Sequence, residues 1–232
     1  MIQTGTLPKL GYANLRGLMD LQLGDEKHAP SATSTLDVIW VLYDRVLRIG
    51  PDRIDDPDRD RFLLSKGHGP MAYYAVLAAK GFIAVETLRT FGRYDSVLGH
   101  HPDRNLVPGV EISSGSLGHG LGIGVGMALG LRARRSPARV FCLVGDAELD
   151  EGSNHEAIAF AGRARLDKLI CVAVDNRSST HGWPGGLAAR FALEGWSSTA
   201  VDGRDCVALE RALTAEHRGR PRALVAVVDS KG

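Results

Sequence analysis

RVFCLVGDAELDEG, residues 139–152, decides the fold. After Arg139 come five apolar residues with no polar alternation, and then Gly145-Asp146 breaks the run. Two further runs share that character, LICVAV at 169–174 and ALVAVV at 223–228. A strand without alternation is buried on both faces, which is the pattern of a parallel sheet covered by helices. Helical spacing fills the gaps, over about Ser153–Arg165 between the first two runs and about Asp205–Glu216 before the third. This β-α-β-α-β order predicts an α/β protein with an open, mostly parallel sheet flanked by helices.

Outward from that core, Leu36, Ile39, Trp40, Tyr43, Val46 and Leu47 form one apolar helical stripe, with Thr33 or Ser34 as its N-cap. Leu10, Leu15, Leu18 and Leu21 predict an earlier helix over about 10–24. Arg48–Arg61 reads as a charged, solvated turn. Its Asp56-x-Asp58-x-Asp60 core fails the calcium-loop pattern, which needs Gly at Arg61 and Glu at Gly67. Glycines at 118, 122, 126 and 130 share one helix face, which predicts close approach of another backbone or a ligand.

The 232 residues are 44% hydrophobic, enough to bury a core and too apolar for disorder. Lys+Arg 28 against Asp+Glu 27 gives no broad attraction to nucleic acid or an anionic membrane. Three cysteines make no disulfide framework, and a reducing cytoplasm is expected. The N-terminus lacks a signal peptide's pattern, and the longest uncharged run, Ile112–Leu131, is too rich in Gly, Ser and His to span a bilayer. A single domain over 1–232 is expected.

The chemistry gathers where strands end. Gly145-Asp146-Ala147-Glu148 leaves one strand and Asp175-Asn176 closes the next, so in a parallel sheet both reach the carboxyl edge, where ligands of open α/β sheets bind. Asp146 and Asn176 there can share one hard cation, with the N–H groups of the following helix start facing a diphosphate. The plain alternative is a capping Asp and a turn Asn. Ser65-Lys66-Gly67-His68-Gly69 sets a histidine between glycines, and the adjacent imidazoles of Gly99-His100-His101-Pro102 diverge too far to share a zinc. Rossmann, P-loop and nucleophile-elbow patterns are absent.

Taken together, SKGHG (65–69), GHHPD (99–103), PGVEISSGSLGHG (108–120), GDAELDEG (145–152) and VDN (174–176) resemble the N-terminal half of transketolases, above all the short subunit of those split into two chains. The resemblance runs from about Leu10 to Lys231. It implies the diphosphate-binding domain of a thiamine-diphosphate enzyme that transfers a two-carbon ketol unit from a ketose to an aldehyde. Asp146 and Asn176 match the Mg²⁺ ligands, with Ser178 as the third through its carbonyl. His68 matches a histidine at the diphosphate, His101 one that meets the donor's hydroxyls, and His28 one near the reacting carbon. Gly115, Ser116 and Leu117 match the aminopyrimidine contacts, and Gly145, Asp146, Ala147 and Asn176 those of the diphosphate and its metal. Glu151 resembles a residue that touches the cofactor-activating glutamate of the partner. The pyrimidine domain that carries this glutamate is expected on a second subunit, in a two-plus-two assembly.

Four departures from the family pattern stand out. Ala147 replaces the last glycine of Gly-Asp-Gly, which adds a methyl beside the diphosphate. Lys27 replaces the glycine before His28. The sequence stops at Gly232, before a segment that brings a further histidine, and the residues that bind sugar phosphates belong mainly to the other half. Two other readings stay open: GDAELDEG is shared with the decarboxylating component of a 2-oxo-acid dehydrogenase, although SKGHG, GHHP and SGSLGHG favour ketol transfer, and Ala147 with the short C-terminus is compatible with a non-catalytic subunit that only binds a partner.

Overall fold

The structure, a computed structural model, describes residues 10–23, 29–67, 69–217 and 219–228. Five strands, β1 Arg61–Leu64, β2 Val140–Gly145, β3 Leu169–Asp175, β4 Ser197–Asp202 and β5 Arg222–Val227, form one sheet in the order β1-β2-β3-β5-β4. Every pairing is parallel. The central register runs from Val140 opposite Leu169 to Gly145 opposite Val174. Parallel neighbours need crossovers, and helices supply them: α5 (Gly152–Arg163) joins β2 to β3, α6 (Gly186–Leu193) leads from β3 to β4, and α7 (Cys206–Thr214) returns to β5.

Alternate strand residues feed two cores. Phe62, Phe141, Leu143, Ile170, Val172 and Leu224 pack beneath α1 (Leu15–Asp20), α2 (Ala29–Val41), α3 (Met71–Ala79) and α7. Leu63, Cys142, Val144, Cys171 and Val225 pack beneath α4 (His119–Ala133), α5 and α6. This two-sided burial is the physical reason β2, β3 and β5 are continuous apolar runs.

The α/β class with an open parallel sheet is the one expected, and the three apolar runs are its central strands. Two strands escaped the sequence pattern. β1 is only four residues long, and β4 lies at the sheet edge, where Ser197, Ser198 and Thr199 are only half-buried. An edge strand has one paired side and tolerates polar residues. The second helix starts at Ala29, so Thr33 and Ser34 lie inside it and are not caps; it continues as a π-helical turn over Leu42–Val46. The first helix shrinks to Leu15–Asp20 after a 3-10 turn at Tyr12–Asn14. The glycine face of α4 also differs from expectation. At Gly118 a methyl would stand 2.7 Å from Glu151 Cβ, but at Gly122, Gly126 or Gly130 it would meet nothing within 4 Å, so described parts of this chain approach only the Gly118 end of that face.

The acidic turn before β1 is not solvated throughout. Asp60 is fully buried. It accepts hydrogen bonds from the Arg48 backbone N–H at 3.0 Å and Nη2 at 3.0 Å, and from the Arg139 backbone N–H at 2.9 Å and Nη2 at 2.6 Å. Asp60 precedes β1 and Arg139 precedes β2, so this clamp closes the amino end of the sheet, opposite the strand-exit loops. Burial opposes ionisation of Asp60, yet the hydrogen bonds from Arg139 and Arg48 outweigh it and hold the carboxyl below its ordinary range. An acid with a depressed folded pKa stabilises the protein above its unfolded value of about 3.9, and that stabilisation is lost as pH falls through the folded value. Asp60→Asn is therefore expected to cost about 3 kcal/mol at pH 7 in urea unfolding, the low end for breaking a buried ion pair because both arginines remain partly solvated. The difference from the parent protein should narrow below about pH 4.

Candidate functional site at the carboxyl edge of the sheet

Because the sheet is parallel, the segments that leave β1, β2 and β3 emerge along one edge. The register sets Gly145 beside Val174, and the Asp146 N–H donates to the Val174 carbonyl at 3.0 Å. The loop after β3 then turns back over β2, with Arg177 in a left-handed conformation at φ 56°. Ser178 donates to the Asp146 carboxylate through its backbone N–H and its hydroxyl, each at 2.5 Å, and the Ser179 N–H adds a third bond at 3.1 Å. The Ser179 hydroxyl also reaches the Asp150 carboxylate at 3.0 Å. Asp146 and Asn176 are each 2% exposed. Both polar atoms of the Asn176 amide are buried without a hydrogen-bond partner.

Buried amides are nearly always paired, so an orphan at this edge marks a place built for a further group. A carboxylate and an amide oxygen are hard donors that suit Mg²⁺ or Ca²⁺. The residues therefore fit a hard cation. Ser178, expected to contribute its carbonyl, meets Asp146 here through its N–H and hydroxyl.

The other blocks join the same edge. Gly67 lies against the 113–115 loop: a methyl there would sit 2.8 Å from Ser114 Cβ and 2.9 Å from the Gly115 nitrogen. Gly115 adopts φ 142°, a conformation side chains rarely take, and the His101 ring covers it, 3.1 Å from where a Cβ would stand. The Ser114 N–H donates to the Pro102 carbonyl at 3.2 Å, tying the GHHP block to the SSGS block. His100 instead packs edge-on against Phe91, so the two imidazoles do diverge. Ser116 is exposed and Leu117 half-buried. Glu151 is exposed, with its stem beside Gly118. Ala147 lies in a 3-10 turn, Ala147–Asp150, and is not among the residues with positive φ, so its methyl costs no backbone strain. His28 and His68 fall outside the described residues.

Three residues of this edge were not singled out from the sequence: Ser65, Ser114 and Glu148. Ser114 Oγ is buried without a partner. Glu148 is 1% exposed and accepts from the Ser65 hydroxyl, the Gly118 N–H at 2.9 Å and the Gly145 N–H at 3.2 Å. Burial raises its pKa, opposed by these three donors and by the charge of Lys66. A glutamate opening a helical turn ordinarily faces water. Only its place two residues beyond a buried Asp, at a strand exit, hinted otherwise.

Residues 19–229 match the family model described as transketolase, thiamine diphosphate binding domain. A Rhodococcoides fascians protein named Ferredoxin fas2 is 53% identical over 221 residues, covering 95% of this chain and 73% of that protein. A subunit of the apulose-4-phosphate transketolase of Actinobacillus succinogenes is 34% identical over 180 residues, covering 77% of this chain and 65% of that relative. Among solved structures, transketolase from Leishmania mexicana superposes with a TM-score of 0.76 at 25% identity, covering 92% of this chain and 36% of that one. The chain thus spans about a third of that solved transketolase. A cluster held by four cysteine thiolates cannot be built from these 232 residues, which contain three cysteines.

The packing predicts a contrast between two glycines. Gly67→Ala forces the 65–67 and 113–115 loops apart and should destabilise the chain by about 1–3 kcal/mol, the usual cost of overpacking. Gly122→Ala enters open space in a helix and should stabilise it by up to about 1 kcal/mol. Urea unfolding of the two variants checks both signs.

Proposed function

This chain belongs to the transketolase family, as its thiamine-diphosphate-binding domain, and on that footing we propose that it is the diphosphate-binding subunit of a two-chain transketolase. The reaction is transfer of a two-carbon ketol unit from a ketose donor to an aldehyde acceptor. One observation carries this reading: Asp146 and the Asn176–Ser179 loop meet at the strand exits, with the Asn176 amide buried and unpaired.

Asp146 and Asn176 would hold Mg²⁺, with Ser178 completing the protein's share of its coordination, and the cation would carry the diphosphate of thiamine diphosphate. When bound, the cofactor would supply a nucleophilic thiazolium carbon and an electron sink for breaking and making the ketol carbon–carbon bond. The protein's part is placement. Gly115, covered by the His101 ring, is assigned with Ser116 and Leu117 to the aminopyrimidine. Gly145, Ala147 and His68 are assigned to the diphosphate. His101, resting on Gly115, and His28 are assigned to the donor's hydroxyls and reacting carbon. Glu151, exposed at the same edge, is free to touch a carboxylic acid from another polypeptide.

That polypeptide is a second subunit carrying the pyrimidine domain, and the assembly is a two-plus-two heterotetramer. The Actinobacillus relative is named as one subunit of its transketolase, which supports the division of labour and favours ketol transfer over 2-oxo-acid decarboxylation. We place the enzyme in the cytoplasm. Cys142, Cys171 and Cys206 are unbridged, and among the described residues no helix is long and apolar enough to cross a membrane.

Asp146→Ala should weaken Mg²⁺-dependent binding of thiamine diphosphate by more than ~100-fold in calorimetry while leaving the circular dichroism of the chain unchanged, since even outer partners of a metal are worth 10–100-fold. Unaltered affinity removes the metal assignment. In the two-chain enzyme, His101→Ala should lower kcat/KM for the donor ketose by about 10–100-fold, the worth of one or two hydrogen bonds, with cofactor affinity within about twofold of the parent. Equal kinetics in variant and parent would remove His101 from the donor site.

A further inference from the structure

We propose that Glu148 is a positioning residue which, through Ser65, fixes the three loop segments 65–67, 115–120 and 145–147 at the spacing the cofactor requires; this rests on the thiamine-diphosphate reading above. Each donor to its carboxylate belongs to a different one of these segments. The Ser65 hydroxyl stands at the exit of β1, just before Gly67 and His68. The Gly118 N–H follows Leu117 directly. The Gly145 N–H precedes Asp146. Ser65 then extends the reach of the carboxylate, because its oxygen accepts the Gly120 N–H at 3.0 Å. Two of the first N–H groups around the start of α4 are thereby engaged from inside the protein.

The chemistry of the choice is informative. A carboxylate is costly to bury, and an apolar side chain would fill this space at no such cost. A carboxylate offers two oxygens with about four acceptor sites, so it can gather three donors that an alcohol or a single carbonyl cannot. The segments are packed too tightly to be held by side-chain bulk. Gly120 touches Ser65, where a methyl would stand 2.9 Å from the Ser65 Cα, and a methyl on Gly145 would stand 3.2 Å from the Lys66 stem. With glycine on these segments, hydrogen bonds to one fixed point replace packing as the means of setting their spacing. A further bond anchors that point: the Asn154 Nδ2 of α5 donates to the Glu148 carbonyl at 2.7 Å. A small shift of the carboxylate therefore displaces the aminopyrimidine and diphosphate segments together. Glu148 touches none of the assigned cofactor contacts with its own side chain, except through the Gly145 N–H.

The test uses the full chain with thiamine diphosphate and Mg²⁺ as probes, in parent, Glu148→Ala, Glu148→Gln, Ser65→Ala and the Ser65→Ala/Glu148→Gln double variant. Calorimetry gives the cofactor Kd, and urea unfolding of the cofactor-free chain gives stability separately. Glutamine keeps one oxygen for Ser65 and Gly118 but turns an amide N–H toward the Gly145 N–H. The expected result is a Kd raised about tenfold in Glu148→Gln and Ser65→Ala, and more in Glu148→Ala. The double variant should fall short of the product of its two singles, because both act through one network. In the two-chain enzyme the cofactor KM should rise with kcat at saturating cofactor nearly unchanged. If Glu148→Ala does not fold, the glutamine and serine variants carry the comparison alone. Folded variants that bind the cofactor as the parent does, or effects that simply multiply, overturn the proposal. A parent chain and complex that bind no thiamine diphosphate overturn the cofactor reading itself, a different result.

Discussion

The register between β2 and β3 governs the strand-exit edge. With Val140 beside Leu169 and Gly145 beside Val174, the chain leaves both strands at the same level, and Asp146 meets the turn that follows Asp175. A slip of β2 by one residue would turn Cys142 and Val144 from one core to the other and carry Asp146 out of reach of Ser178. The apolar side chains on the two faces of the sheet hold the register, so the burial of valines and leucines places the polar atoms of the edge. Asp60 secures the opposite end by drawing Arg48 and Arg139 onto one buried carboxylate.

The two buried acids illustrate what separates a structural carboxylate from one at a site. Asp60 collects cations and backbone donors from the amino end of the sheet, and its pKa falls. Glu148 collects neutral donors from three loops, with the charge of Lys66 nearby, and its pKa rises. The first arrangement contributes stability. The second gives up stability to hold segments that Gly67, Gly115, Gly118, Gly120 and Gly145 leave short of packing, which is how a site keeps room for a flat, charged ligand and remains ordered.

The relatives fit this division. The resemblance read from the sequence rests on blocks at the sheet edge, and these blocks are in contact here: Gly67 with Ser114, Gly115 with His101, and Asp146 with Val174. The name Ferredoxin fas2 attaches to a protein that is 53% identical, yet the present chain has too few cysteines for a four-thiolate cluster. Likeness over this domain speaks for thiamine chemistry.

The sequence by itself determined the sheet's three inner strands, because strands covered on both faces must be continuously apolar, and it determined the order of the blocks that carry the family likeness. It also pointed to Asp146 and Asn176, since parallel strands all discharge at one edge. It did not reveal β4, whose polar edge has no pattern to detect, nor β1, which is too short to show one. It misread Asp60 as solvated and gave no role to Glu148, Ser65 or Ser114. Whether a carboxylate faces water or gathers separate segments depends on distant partners: two of the three donors to Glu148 lie 30 and 83 positions away along the chain. Local periodicity carries no trace of such partners, and only the tertiary structure brings them together.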